Sequence, residues 1–419
     1  MGEVENDDGV RDRSGRELRY LLLLVAAAFA VYALTQHRIT LDGGHPYDAG
    51  EYRKVAEQLA DGMRPSGPAP FVYRLGLPAL GAALAPDHLD GFFRLVDMCA
   101  GLAAGVLLWA WLRRYVPHPQ LRLALVAAFL VQSVGPMRFG LSYPGLTYGT
   151  FWCLLVGALL LLDRCRERSD VISLVLLAAI VAAGAFVRET MLLLVPVALF
   201  APGDRGPRVT PVPAAVVAVT GGAVVAITHL VVTTTGSYTF ASEAWGSLGD
   251  LTVPGLTMAW FTAFGAVLAV ILIRPRPAAR FLRAQPHLAA LLAVVTLLSL
   301  AGGVNTELFL LWATPAVLAV GGAVVSQERE SFGWWPVAAL LVAVHLLIAR
   351  VLWPIPDIPG GRDSVAVFAP WGPDARWFDL FSKLADRGLV TAIAIEDVLF
   401  VGLLFALWTY HRARATERG

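Results

Sequence analysis

Tyr20-Leu21-Leu22-Leu23-Leu24-Val25-Ala26-Ala27-Ala28-Phe29-Ala30-Val31-Tyr32-Ala33-Leu34 is an unbroken apolar run. Arg11, Arg13, Arg16 and Arg19 precede it, and Thr35, Gln36 and His37 follow. No small-residue cleavage pattern comes after it, so it reads as a retained first span and not as a removed secretion signal. Similar runs recur at 19–36, 93–112, 120–136, 145–162, 170–186, 190–202, 211–232, 252–273, 286–303, 307–325, 334–352 and 388–409. They predict an all-α, polytopic transmembrane helix bundle of about twelve spans, in a range of roughly 10–13. Composition points the same way. The 419 residues are 57% hydrophobic and 16% charged, with a mean hydropathy of +0.64. A soluble domain of this length carries more charge and could not bury so much apolar sequence.

The arginines set an orientation. If the N-terminal tail is cytoplasmic, every second connection should be basic. Arg113 and Arg114 fit, as do Arg164, Arg166 and Arg168, then Arg205 and Arg208. Arg274, Arg276, Arg280 and Arg283 follow, and Arg412, Arg414 and Arg418 close the chain. The weakest instance is 326–331, where Arg329 stands between Glu328 and Glu330. The expected organisation is a disordered cytoplasmic tail over 1–18, one transmembrane domain over 19–410 and a cytoplasmic tail over 411–419. Both termini then lie on the cytoplasmic side of a plasma membrane, and two long segments, 37–92 and 353–387, lie on its outer side. Long loops on a rigid scaffold are where function gathers. Cys99, Cys153 and Cys165 show no metal-ligand spacing and no disulfide framework.

The first outer loop holds His45-Pro46-Tyr47-Asp48, and Ala49 to Ala60 then reads as an amphipathic helix along the interface. Tyr52, Val55, Ala56 and Leu59 share one face, opposite Arg53, Lys54, Glu57 and Asp61. Asp48 stands at the helix start, where the dipole stabilises a carboxylate; a plain helix cap explains it as well as catalysis does. Arg74 sits in an apolar stretch, where it must snorkel to water or find an anion. Arg188 and Glu189 fall at a predicted outer turn, and Arg138, Asn305 and Glu307 occupy equivalent turns. Arg350 lies near the end of a late span. Ionisable groups in such places face a polar cavity or one another. Together they predict an outward-facing cavity of carboxylates and arginines, suited to a substrate that bears phosphate.

With these residues in view, the chain resembles the GT-C superfamily, polytopic glycosyltransferases that use polyprenyl-phosphate sugars. Asp48-Ala49-Gly50-Glu51-Tyr52-Arg53-Lys54-Val55-Ala56 is similar to the family's D-x-x-x-Y-x-x-x-A, and Tyr73-Arg74-Leu75-Gly76-Leu77-Pro78 follows it. Phe186-Val187-Arg188-Glu189-Thr190-Met191-Leu192-Leu193-Leu194-Val195-Pro196 is like the family's R-E-T helix start. Asn305-Thr306-Glu307-Leu308-Phe309-Leu310-Leu311-Trp312-Ala313-Thr314-Pro315 is the third stretch, with Leu308 where related proteins often have arginine.

The resemblance implies inverting, mannosyltransferase-like transfer of a hexosyl or pentosyl group from a polyprenyl-phosphate donor. The acceptor would be a hydroxyl of an envelope glycan, lipid or protein on the outer face. Asp48 becomes the candidate general base, because a hydroxyl is a poor nucleophile until a carboxylate takes its proton. Arg74 and Arg188, with Arg138 behind them, become candidates for the donor phosphate. Glu51, His45 and Tyr52 would support Asp48 or face the acceptor. A metal site built from Asp48, Glu51 and His45 has no defined geometry, so no metal or other cofactor is expected. The outer loops lack an Asp-x-Asp pair and a Gly-rich phosphate loop, and no soluble domain is present to hold a nucleotide sugar. A secondary transporter is the main alternative, and a non-catalytic envelope scaffold the third.

Overall fold

The structure, a computed structural model, describes residues 7–36, 48–133, 135–142, 145–168, 170–200, 202–203, 206–207, 211–236, 240–301, 306–349, 351, 383 and 387–418. It is nearly all helical. Helix α1 (Asp7–Thr35) leads to α2 (Asp48–Ala60), α3 (Gly76–Leu84) and α4 (Leu89–Leu112). Next come α5 (Pro119–Leu130), α6 (Pro136–Ser142), α7 (Tyr148–Glu167) and α8 (Val171–Val187). A 3-10 turn, Glu189–Leu193, opens α9 (Leu194–Leu199), and α10 (Pro211–Val231) follows. The second half runs through α11 (Phe240–Gly249), α12 (Val253–Phe264), α13 (Ala266–Ile273), α14 (Pro275–Ala284) and α15 (Pro286–Ala301). It ends with α16 (Thr306–Leu310), α17 (Thr314–Gln327), α18 (Arg329–Phe332), α19 (Trp335–Ile348) and α20 (Arg387–Arg418).

Among the described residues, six helices are long and apolar enough to cross a membrane, or up to eight if two bent pairs each count as one span. This supports a transmembrane bundle at a coarser level than the dozen crossings expected. The remaining apolar segments are shorter helices: Pro119–Leu130, Val171–Val187, Glu189–Leu199 and Trp335–Ile348. The packing is layered. In the best 18-residue windows, 89% of residues are buried for Thr306–Gln327, against 22% for Gly15–Thr35, Pro211–Val231 and Arg387–Arg414. The first is a central helix, and the other three leave apolar side chains such as Leu23, Val219 and Leu399 exposed. So much outward apolar surface suits a lipid solvent and not water.

Helix α1 begins at Asp7, inside the stretch 1–18 read as a tail. A helix that starts in charged sequence propagates at little cost once a span anchors it, and Glu17 gives a further anchor. Its carboxylate accepts from Arg122 at 2.7 and 2.9 Å and from the Trp109 indole at 2.8 Å.

The basic connections gather at one end of the bundle. Arg122 also donates to the Val116 carbonyl at 2.9 Å. Beside it, the Tyr115 hydroxyl donates to Asp163 at 2.7 Å, and Arg166 donates to the same carboxylate at 3.1 Å. His287 lies 3.5 Å from Asp163, and the Phe281 ring packs edge-on to Tyr115 at 6.0 Å. Arg274 is paired with Glu328, which Arg412 approaches at 4.0 Å. Among the described residues, the connections that carry Arg114, Arg166, Arg274 and Arg412 thus gather at one end.

At the bend between α12 and α13, 110° in all, Gly265 has φ +55°. Only glycine takes that backbone without strain, and a Cβ there would run into the His345 ring.

Candidate active site

The opposite end of the bundle is built on α2. Asp48 and Glu51 lie in its first turn, where the exposed N–H groups favour carboxylates. Its apolar face, Ala49, Tyr52, Val55 and Ala56, is buried against protein: Val72, Leu75 and Val232 cover Val55, while Leu77, Leu89 and Phe93 cover Ala56. The expected interfacial helix is therefore roofed by its own loop. That roof is tied down on α10. The short strand Ser66–Pro68 pairs in parallel with Thr233–Thr235. Arg64 donates to the Leu230, Val231 and Val232 carbonyls at 2.9–3.2 Å, satisfying the open end of α10. Tyr73 stacks on His229 with ring centroids 3.7 Å apart.

This clamp delivers Arg74 to the break between α8 and α9. Its Nε and Nη2 donate to the two oxygens of Glu189 at 3.0 and 2.7 Å, the bidentate geometry that suits guanidinium. Its Nη1 donates to the Tyr52 hydroxyl at 2.9 Å. All three nitrogens of Arg74 are thus engaged within the protein. Gly76 allows the approach, because a Cβ there would stand 2.9 Å from the Val187 backbone nitrogen. Burial alone would raise the Glu189 carboxyl. The Arg74 guanidinium outweighs that, with help from Arg188, and brings it down to about 2.

Arg188 is arranged differently. It caps α8 in an extended conformation and is 4% exposed. Its guanidinium lies 4.4 Å from the Tyr148 ring centroid and 5.5 Å from that of Trp312. The aromatic faces hold the cation without using its N–H donors, and among the described residues neither Nε nor Nη1 has a hydrogen-bond partner. Leaving such groups unmade in a buried place costs stability, and Arg274 at the arginine-rich end shares an unmade Nε. The hydroxyls of Thr190 and Thr306 are also buried without a partner.

Tyr148 joins the two halves. Its hydroxyl is within electrostatic reach of Arg188, Asp48, Tyr52 and Arg74 together. Asp48 is partly exposed, so solvent or a substrate can reach it. The structure thus brings Asp48, Tyr52, Arg74, Arg188 and Glu189 into one cluster. Glu51 sits a turn along α2, with Lys54 at 2.8 Å. Arg138 stands apart from these contacts: it donates to Gln36 at 3.2 Å and to the Ser133 and Ala349 carbonyls at 3.1 and 3.2 Å. Glu307 is fully buried at the start of α16 and acts electrostatically on Lys383, whose ammonium also donates to the Ser247 carbonyl at 3.2 Å. His45, Asn305, Arg350 and nearly all of loop 353–387 lie outside the described residues.

Three residues of the site region escaped the sequence reading. Tyr148 and Trp312 are aromatics at ordinary apolar positions and carry no sequence signal. Asp97 did carry one, a carboxylate inside an apolar run. It is 1% exposed, accepts from the Thr150 hydroxyl at 3.3 Å and packs beside Gly149, at the start of the helix that presents Tyr148.

No family model, characterised protein or solved structure matches the chain.

Proposed function

We propose that the chain is a membrane glycosyltransferase that takes a sugar from a polyprenyl phosphate and gives it to a hydroxyl acceptor. The site would face outward, away from the arginine-rich end, on a bundle of twelve crossings in the GT-C manner. The observation that carries this reading is Arg188 packed on the Tyr148 ring with its Nε and Nη1 free of hydrogen bonds among the described residues, and Asp48 within electrostatic reach of the same tyrosine. Asp48 takes the acceptor proton as the acceptor oxygen attacks the anomeric carbon. The bond from that carbon to the phosphate oxygen breaks on the opposite face, which inverts the configuration. Negative charge gathers on the departing lipid phosphate, where the Arg188 guanidinium stabilises it in a site shielded from water. Arg74, bound to Glu189 and Tyr52, acts as a positioning residue that holds α2 against the α8 end. The apolar surface around the bundle supports a substrate whose tail stays in the bilayer.

A secondary transporter remains the second reading, supported by the 110° break at Gly265, since transporters build sites from interrupted helices. One experiment separates the two. Purified protein is given polyprenyl-phosphate sugars and candidate hydroxyl acceptors, and wild type is compared with Asp48→Asn. Transfer by wild type that disappears in the variant supports the proposal. Solute uptake into proteoliposomes without any transfer supports the transporter and sinks the enzyme.

A further inference from the structure

Helix α14 joins α13 to α15, two membrane segments, and is bent by 110° from the second of them. A ten-residue helix at that angle, between apolar segments that end at Ile273 and restart at Pro286, has the placement expected of a helix along the boundary of a membrane that those segments cross. Its sequence is divided cleanly. Arg276, Arg280 and Arg283 are spaced by four and three residues, so they form one stripe of neighbouring guanidiniums. All three are exposed. The other side buries Pro277 and Ala278 and packs Phe281 and Leu282 on the core. Arg274, at the mouth of the helix, is already used by Glu328 and by the Trp408 ring, 5.0 Å from its guanidinium carbon. No such partner meets the three arginines of the stripe among the described residues. Beside them lies an open cleft of about 760 Å³, lined by Arg274, Arg276, Arg280, Arg283 and the prolines and alanine between them. The apolar face is covered by protein, so the helix does not dip into lipid; it offers charge at headgroup height.

We propose that this stripe is a binding site for the phosphate headgroup of an anionic phospholipid in the leaflet at the arginine-rich end. Guanidinium forks match phosphate oxygens bidentately, and each basic side chain at an anionic surface strengthens binding about five-fold. The inference is independent of the proposed chemistry at Asp48, which lies at the other end of the bundle.

The test uses full-length protein, delipidated in detergent and then equilibrated with phosphatidylcholine alone or with phosphatidylcholine and phosphatidylglycerol at about four to one. Lipid retention is counted by native mass spectrometry. Wild type should retain phosphatidylglycerol in preference to phosphatidylcholine, with a preference that weakens as salt rises. The triple variant Arg276→Gln, Arg280→Gln, Arg283→Gln should lose at least about ten-fold of that preference. A matched triple lysine variant keeps the charge but not the fork, so its preference should fall between the two, which guards against misfolding as the cause. Equal retention by wild type and the glutamine variant would overturn the proposal. So would equal loss in the lysine variant, or displacement of the lipid by millimolar inorganic phosphate.

Discussion

Two buried arginines, Arg122 at one end of the bundle and Arg188 at the other, are completed in opposite ways. At the arginine-rich end, Arg122 spreads its donors over Glu17 and two carbonyls, and Asp163 gathers Tyr115 and Arg166 around itself. Those charges are closed, and closure is what a fold needs when a charge leaves water. At the other end Arg74 is closed onto Glu189 and Tyr52, but Arg188 beside it is left open between two aromatic faces. The same residue type, equally buried, has every nitrogen bonded in one place and two nitrogens without a hydrogen bond among the described residues in the other. The difference lies in hydrogen-bond completeness, and burial alone does not reveal it.

The largest effect should come from breaking the chemistry at the open end. Asp48→Asn should lower transfer by about 10²- to 10⁴-fold, the usual share of a general base, with insertion and thermal unfolding unchanged. Breaking the closed end should do the reverse. Arg122→Ala strands Glu17 in a buried site and should cost about 3–5 kcal/mol, measured by thermal or denaturant unfolding in detergent. Its effect on turnover per folded molecule should be nil. Between these lies the joint that connects the loop to the bundle. Gly76→Ala drives a methyl toward the Val187 backbone and should cost about 1–3 kcal/mol, with Arg74 drawn off Glu189.

The smallest expected effect is in pH. Glu189 is depressed from its ordinary 4.5 to about 2, so its pairing contributes stability in full above about 4.5. That contribution falls away as pH drops through the window between those values. Wild type should therefore lose stability relative to Glu189→Gln on acidification from about pH 5 to 2, and parallel melting curves across that range would contradict the assignment.

The helical course was legible because apolar runs and arginine clusters are local signals. The amphipathic face of α2 could be read from spacing, and Tyr52, Val55 and Ala56 are indeed buried. What spacing could not show is what covers that face: Val232 and the strand at Thr233–Thr235 arrive from far along the chain. The lengths of several spans were also hidden, because 3-10 turns and the left-handed Gly265 interrupt helices without interrupting apolarity. At the site, Arg74, Arg138 and Arg188 looked alike as cations in apolar sequence. Only their partners separate them, and partners are tertiary facts. Tyr148 and Trp312 were invisible for the same reason, since an aromatic in an apolar run announces burial and nothing more.

Arg188→Met tests most directly whether Arg188 is kept open for a ligand. Filling the place with an uncharged side chain of similar length removes the two nitrogens that lack hydrogen bonds, so the melting temperature should hold or rise, while affinity for polyprenyl phosphate should fall by about ten-fold or more. A variant that melts well below wild type, as Arg122→Ala should, yet still binds the lipid phosphate as wild type does, would show that Arg188 belongs to the framework and would contradict the account.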